Sequence, residues 1–238
     1  MNKLIAARLR RLSSAALVGL VLWVGAPASA LAASHATTTV TKSPCRPGTP
    51  ATAPATTSYY DAARTWLGPD PLPSTQPVGP LLAGYRRFGA MAETQFVSKY
   101  RSADDWIFPP NDGFLTVGGK PVRSARSLPP GGRIDRFSYP GGGYLAPAYT
   151  PFAKRALPPQ YLNTPAGTPQ SNYHVYCVLK AFTVDSGPIA PWFEQPGRGL
   201  QYKLESRYLP EAGTALSVTW LLKNEFLVEE LPSANRLG

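Results

Sequence analysis

A chain of 238 residues has room for one medium domain plus an N-terminal extension. Only 16% of residues are charged, while Pro occurs 27 times and Gly 21 times, which argues against a helical bundle and for a loop-rich, β-leaning domain. The formal charge of +10 is not gathered into a Lys/Arg run or a basic helix, so it does not indicate nucleic-acid binding.

The N-terminus reads as a leader. Lys3, Arg8, Arg10 and Arg11 precede an apolar stretch from Ala15 to Val24, followed by the small-x-small string Ala28-Ser29-Ala30, with Ala30-Leu31-Ala32 as a second option. This pattern predicts a secretory signal peptide over residues 1–32, with an apolar core about half the ~20 residues a membrane span needs. The leader takes four of the 24 basic residues and no acid, which leaves 20 bases against 14 acids in the exported chain. That modest excess suits an anionic substrate or surface. Residues 33–58 are Thr-, Ala- and Pro-rich, and composition predicts a flexible linker.

From Tyr59 the apolar content rises, and Tyr59 to Leu67 reads as a short helix. Ala92 to Tyr100 reads as a helix with an apolar stripe of Phe96, Val97 and Tyr100, and Pro109 to Gly113 is a turn cluster. Beyond it the chain is β-rich. Arg133 to Phe137 is a short strand, and Gly141-Gly142-Gly143 marks a tight turn or a close backbone approach. Tyr173 to Lys180 alternates and continues to Val184 as a strand, and Leu200 to Leu204 and Ser217 to Leu221 are further strand candidates. Leu221 to Glu230 closes the domain as a helix or strand. Cys45 and Cys177 leave two readings open: one disulfide in an exported protein, or a buried thiol at Cys177.

The residues exclude several chemistries. With two His and two Cys at unsuitable spacing there is no zinc site, so no metal ligands are assigned. No Gly-x-Ser-x-Gly elbow and no Gly-x-Gly-x-x-Gly turn occurs. Glu194 and Asp185 stand at no spacing that makes an acid/base pair. What remains is arginine set in apolar strings, Arg133-Ile134-Asp135-Arg136-Phe137 and Lys154-Arg155-Ala156-Leu157-Pro158-Pro159. Such guanidinium groups can grip a diphosphate, and Phe137 and Tyr144 can face a base or a pyridinium ring. The competing reading leaves these arginines solvated or pairs them with Asp135 and Glu194.

Several longer strings occur in a characteristic order. They are Arg87-Phe88-Gly89-Ala90, Ile107 to Phe114 (Ile-Phe-Pro-Pro-Asn-Asp-Gly-Phe), Leu128-Pro129-Pro130-Gly131, and Ile134-Asp135-Arg136-Phe137. Gly143-Tyr144-Leu145-Ala146-Pro147, Arg155-Ala156-Leu157-Pro158-Pro159, Asn172-Tyr173-His174-Val175-Tyr176, Gly187 to Gly197 and Gly199-Leu200-Gln201-Tyr202 follow. On these strings the stretch from Arg86 to about Tyr202 resembles the tuberculosis necrotizing toxin (TNT) domain family, especially its fungal secreted NAD glycohydrolases.

The resemblance implies an α+β, mainly β fold. It would be a compact mixed β core related to the ADP-ribosyltransferase-like fold, with a thumb-like N-terminal extension. The expected layout is a thumb-like segment at 59–86, the NAD glycohydrolase domain at 87–232 and a tail at 233–238. The implied activity is secreted, extracellular cleavage of NAD+ or NADP+ to nicotinamide and ADP-ribose, with no metal in catalysis. The alternatives are an inactive nucleotide- or surface-binding module, or ADP-ribosyl transfer or cyclisation on the same fold.

The resemblance implies catalytic roles for Gln201, Arg136 and Tyr144 and substrate-binding roles for Arg155, Phe137 and His174. For His174 a hydrogen-bonded core histidine is the competing reading. The resemblance implies calcium binding through an acidic tail in fungal relatives; this chain ends Ser233 to Gly238 without acids, which argues against calcium but leaves it open. A cognate inhibitor protein and a homodimer are compatible with the family.

Overall fold

The computed structural model describes residues 44–233. The chain divides into two units, Met1–Thr41 and Lys42–Gly238, and the described residues belong to the second. The leader, the first part of the expected linker and the end of the tail lie outside the described residues.

Pro and Gly cut the chain into short strands. A two-residue hairpin, β1 (Thr116–Val117) and β2 (Lys120–Pro121), turns at Gly118-Gly119, both left-handed, as a tight hairpin requires. The other strands are β3 (Ser124–Leu128), β4 (Arg133–Phe137), β5 (Tyr144–Pro147), β6 (Tyr173–Val178), β7 (Phe182–Pro188), β8 (Leu200–Lys203) and β9 (Leu227–Glu230). They form one seven-stranded sheet in the order β3-β7-β8-β5-β4-β6-β9, with every ladder antiparallel. The mainly β expectation holds, with antiparallel pairing throughout. Among the described residues two α-helices join them: α1 (Glu93–Tyr100), where the sequence pattern places it, and α2 (Val218–Lys223).

Three apolar clusters hold these elements. The largest joins the sheet to α2 through Ile134, Leu145, Tyr176, Val184, Val218 and Leu221. A second packs Val78, Leu81 and Tyr85 against Phe137, Phe152 and Tyr173. A third gathers Leu67, Phe96, Tyr100, Trp106 and Phe193. Residues 59–86 therefore share cores with the rest of the domain, and Arg87 reinforces this by donating to the carbonyls of Leu67 and Pro69.

Several expectations are corrected. The alternating run Tyr173 to Val184 is two strands, with different partners on each side of the break: β6 pairs with β4 and β9, and β7 with β3 and β8. All six residues of β6 are buried, because Tyr173 and Val175 enter the second cluster while Tyr176 and Val178 enter the first. Ser217 to Leu221 is not a strand. Ser217 caps α2, its Oγ accepting from the Trp220 amide at 3.1 Å, and Val218 and Leu221 face the core at helical spacing. Tyr59 to Leu67 supplies only a 3-10 turn at Thr65–Leu67. Asp61 competes for the backbone there, its Oδ1 accepting from the amides of Ala63 and Arg64.

Residues 44–58 do not behave as the flexible linker their composition suggests. The amides of Gly48, Ala53 and Thr56 donate to the carbonyls of Glu229, Thr168 and Thr164, each at 2.9 Å. Cys45 and Cys177 form a disulfide across 132 residues. Backbone pairing and a covalent tie order a segment that has little apolar surface of its own. Cys45→Ser should lower stability by about 2–4 kcal/mol. Thermal unfolding with and without reductant checks this, and equal midpoints would contradict it.

Candidate active site

The end of β4, β5, the 3-10 turn Phe152–Arg155, β8 and a tight turn at Asn111–Gly113 converge on one cleft of about 460 Å³. This is the size of a small-ligand site. Its walls are mainly apolar, with Phe108, Leu157, Tyr161 and Ile189 among them.

Arg136 enters this cleft unpaired. Its Nε donates to the Tyr139 carbonyl at 2.8 Å and its Nη1 to the Tyr144 carbonyl at 2.7 Å, so the β4–β5 loop wraps its guanidinium. The guanidinium can occupy this position only because residue 142 lacks a side chain: a Cβ on Gly142 would lie 2.3 Å from Nη2. Among the described residues no carboxylate pairs with Arg136. Burial pulls its pKa down, yet an arginine stays charged. A partly desolvated cation without a counter-ion, with donors left over, is a site suited to an anion. Gly142→Ala should dislodge this guanidinium and raise the KM for an anionic substrate by roughly tenfold or more, the worth of one charge-assisted hydrogen bond. Steady-state kinetics of the variant checks this; an unchanged KM would contradict it.

Arg155 lines the same cleft but is committed elsewhere. It is buried, donates to the Thr150 carbonyl at 2.8 Å and to Asp135 at 2.7 Å, and lies 5.2 Å from the Phe137 ring centroid. Asp135 has no exposure and also accepts from the Tyr149 amide and the Tyr173 hydroxyl. Burial pushes the Asp135 pKa up, against the pull of Arg155 and Tyr173. The second arginine expected to hold diphosphate is thus paired with Asp135, as the competing sequence reading has it. Phe137, also on the cleft wall, is nearly fully buried between Phe152 and Tyr173, with ring centroids 5.0 and 4.7 Å away.

Tyr144 and Gln201 both meet the Asn111–Gly113 turn at Asp112. Tyr144 is 41% exposed at the cleft mouth, its hydroxyl 3.4 Å from Asp112 Oδ1. Burial and the nearby Asp112 charge raise its pKa. Gln201 is 9% exposed, and its Nε2 donates to the Asp112 carbonyl at 2.9 Å. A carbonyl only accepts, so this bond fixes the amide with nitrogen toward Asp112 and leaves Oε1 as the acceptor beside Gly113.

His174 does not join the cleft. It neighbours Arg136 in the β4–β6 register, but its Nδ1 lies 2.5 Å from Glu229 and its Nε2 2.8 Å from Asn172. Both ring nitrogens are thus engaged by the neighbouring Glu229 of β9 and by Asn172 just before β6. Glu194 accepts from Lys99 and Tyr100, and Asp185 pairs with Arg207 and Arg123, so neither is free for acid/base work. Trp192 and Phe193 pack in the third cluster. Among the described residues one group of three has metal-ligand types, Cys45, Cys177 and Glu230, and both its sulfurs are spent in the disulfide. Sequence reasoning missed Asp112, Asp135 and Tyr161 as cleft residues. Asp112 had a visible signal, because Asn-Asp-Gly joins three residues that accept left-handed backbone.

Fold and site together define an antiparallel β domain whose apolar cleft presents one unpaired arginine, one oriented amide and flat aromatic walls. The chain belongs to the TNT family. A family model described as tuberculosis necrotizing toxin matches residues 127–229. The conidial surface nicotinamide adenine dinucleotide glycohydrolase of Aspergillus fumigatus is 39% identical over 181 residues, covering 74% of this chain and 77% of that protein. The solved structure of tuberculosis necrotizing toxin with its immunity factor aligns at a TM-score of 0.50 and 19% identity, over 76% of this chain and 98% of that one. This last likeness concerns the fold alone.

Proposed function

We propose that this protein hydrolyses NAD+, and NADP+ as well, at the nicotinamide–ribose bond. The observation that carries the reading is the unpaired, partly buried Arg136 in an apolar cleft beside an amide whose nitrogen is fixed by its own hydrogen bond. Arg136 would hold the diphosphate. Tyr144 and Tyr161 would shield the nicotinamide and the reacting ribose from bulk water. Gln201 Oε1 would accept from a ribose hydroxyl or from the attacking water. The name of the Aspergillus relative supports the same substrate.

The chemistry asks for positioning more than for acids. The pyridinium nitrogen is already cationic, so the C1′–N bond breaks with its electron pair passing to a neutral nicotinamide. An oxocarbenium-like ribose forms, and water adds to C1′ and releases a proton, which gives ADP-ribose. Catalysis then comes from orientation and from contacts stronger in the transition state than in bound substrate. An acceptor oxygen near the developing positive charge provides such a contact. Both carboxylates of the cleft wall are held by cations, Asp112 by Arg123 and Lys203 and Asp135 by Arg155, which agrees with a step that needs no general acid.

Export through the 1–32 leader belongs to this proposal, and no helix among the described residues is long and apolar enough to cross a membrane. An inhibitor protein belongs to it too, because the enzyme would consume the NAD+ of the cell that makes it. The step as written uses no metal. Purified protein incubated with NAD+ in EDTA should therefore release nicotinamide and ADP-ribose in equal amounts by chromatography. Cyclic ADP-ribose or protein-bound ADP-ribose as the main product would move the reading to cyclisation or transfer. Intact NAD+ with folded protein would overturn it.

A further inference from the structure

The turn that meets Gln201 is unusual in its backbone. Asn111, Asp112 and Gly113 are left-handed in succession, with φ of 55°, 58° and 79°. Asn, Asp and Gly are the residues that tolerate this region best, yet three in a row persist only where the surroundings hold them. Asn111 Nδ2 donates to Thr116 Oγ1 at 3.3 Å, and two further anchors hold the turn. The Gly113 carbonyl accepts from the Ala190 amide at 2.9 Å. The Asp112 carboxylate is gripped by Arg123 Nη1 and Lys203 Nζ, each at 3.0 Å.

Those two cations are themselves fixed. Arg123 also reaches Asp185 at 3.3 Å and Glu205 at 3.9 Å, and Lys203 reaches Glu205 at 2.9 Å. Lys203 lies two residues after Gln201 on β8, on the same side of the strand. Burial works against the charged form of Asp112, but Lys203 and Arg123 outweigh it and hold the carboxyl below its ordinary range. The grip therefore persists at neutral pH.

Asp112 touches two of the three cleft side chains expected to act in catalysis. Its carbonyl takes the Gln201 amide nitrogen, and its Oδ1 faces the Tyr144 hydroxyl. We infer that Asp112 is a positioning residue: its carboxylate, clamped between Arg123 and Lys203, pins a left-handed turn whose carbonyl keeps the Gln201 oxygen turned to the ligand. Without the clamp the turn relaxes and the amide can flip. An NH2 edge would then meet the developing cation, with the wrong sign of partial charge. The inference rests on the glycohydrolase reading for its catalytic consequence, though not for its geometry.

The test compares Asp112→Ala, Asp112→Asn, Gln201→Ala and the double variant Asp112→Ala/Gln201→Ala, with NAD+ as substrate. Asp112→Ala should lower kcat at least tenfold with KM within about threefold, and should cost no more than about twofold once Gln201 is gone, since coupled residues are non-additive. Asp112→Asn, which accepts the same φ but carries no charge, should lie between Asp112→Ala and the parent protein. Thermal unfolding verifies that each variant folds.

A second readout needs no turnover. The Gln201 side-chain amide signals in a 1H–15N spectrum, assigned by their loss in Gln201→Ala, should shift toward the positions of an exposed glutamine in Asp112→Ala. A kcat within twofold of the parent, or an equal loss with and without Gln201, would overturn the inference. Should the parent protein leave NAD+ intact, the glycohydrolase reading falls by itself, and unshifted Gln201 amide signals in Asp112→Ala would then overturn the positioning role.

Discussion

Gln201→Ala should lower kcat for NAD+ cleavage by about 10²–10³-fold, the usual cost of removing one preorganised group aimed at transition-state charge. KM should change little, because the amide oxygen gains most as the ribose becomes cationic. Gln201 is nearly buried and its nitrogen is spent on Asp112, so the oxygen has a single orientation to offer. Gln201→Glu separates position from polarity. Glutamate is a stronger acceptor, but it has no donor for the Asp112 carbonyl and would be pushed from it. It should therefore also be impaired. Nicotinamide release under steady-state conditions measures both variants, and a fully active Gln201→Ala would remove this residue from the chemistry.

The second large effect concerns stability. Asp135→Ala should destabilise the domain by about 3–5 kcal/mol, because it strands a buried Arg155 without its counter-charge. For a domain of this size that corresponds to a fall in Tm of roughly 6–20 °C. The loss also removes the acceptor shared by Tyr149 and Tyr173, which sit against the core under the cleft. Replacing both partners, as in Asp135→Ala/Arg155→Met, should recover part of the loss, since a buried pair exchanged for apolar groups is often near neutral. Differential scanning calorimetry of the two variants decides it. Equal midpoints for Asp135→Ala and the parent would mean that Arg155 finds another partner or escapes to water.

Local signals were legible where chain punctuation and burial agree. β4 follows the Pro129-Pro130-Gly131-Gly132 turn, with the Gly131 amide bonded to the Val178 carbonyl, and was readable to the residue. α1 shows its apolar stripe because one face meets the third cluster and the other meets water. β6 misled, because a strand covered on both faces keeps no polar side to mark its end. α2 was hidden for a different reason: six residues give too short a window for periodicity, so only the Ser217 cap marks it.

The site divides in the same way. Arg136, Tyr144 and Gln201 stand in strings whose order carries the family resemblance, and all three reach the cleft. Sequence does not reveal that Arg155 is neutralised by Asp135 while Arg136 is not. That difference depends on the pleat of β4, which sends Asp135 and Arg136 to opposite faces of the sheet. His174 stands opposite Arg136 in the register, yet its ring is tied to Glu229 and Asn172. Residues 44–58 are ordered by partners more than a hundred positions away, which local composition cannot report.

The most direct measurement is a crystal structure of Gln201→Ala with NAD+ bound, the slow variant keeping the substrate whole. The diphosphate should sit on Arg136, the nicotinamide against Tyr144 and Tyr161, and the nicotinamide ribose beside residue 201. NAD+ seated elsewhere, for instance in the groove bounded by Arg46, Arg133 and Glu230, with this cleft empty, would contradict it.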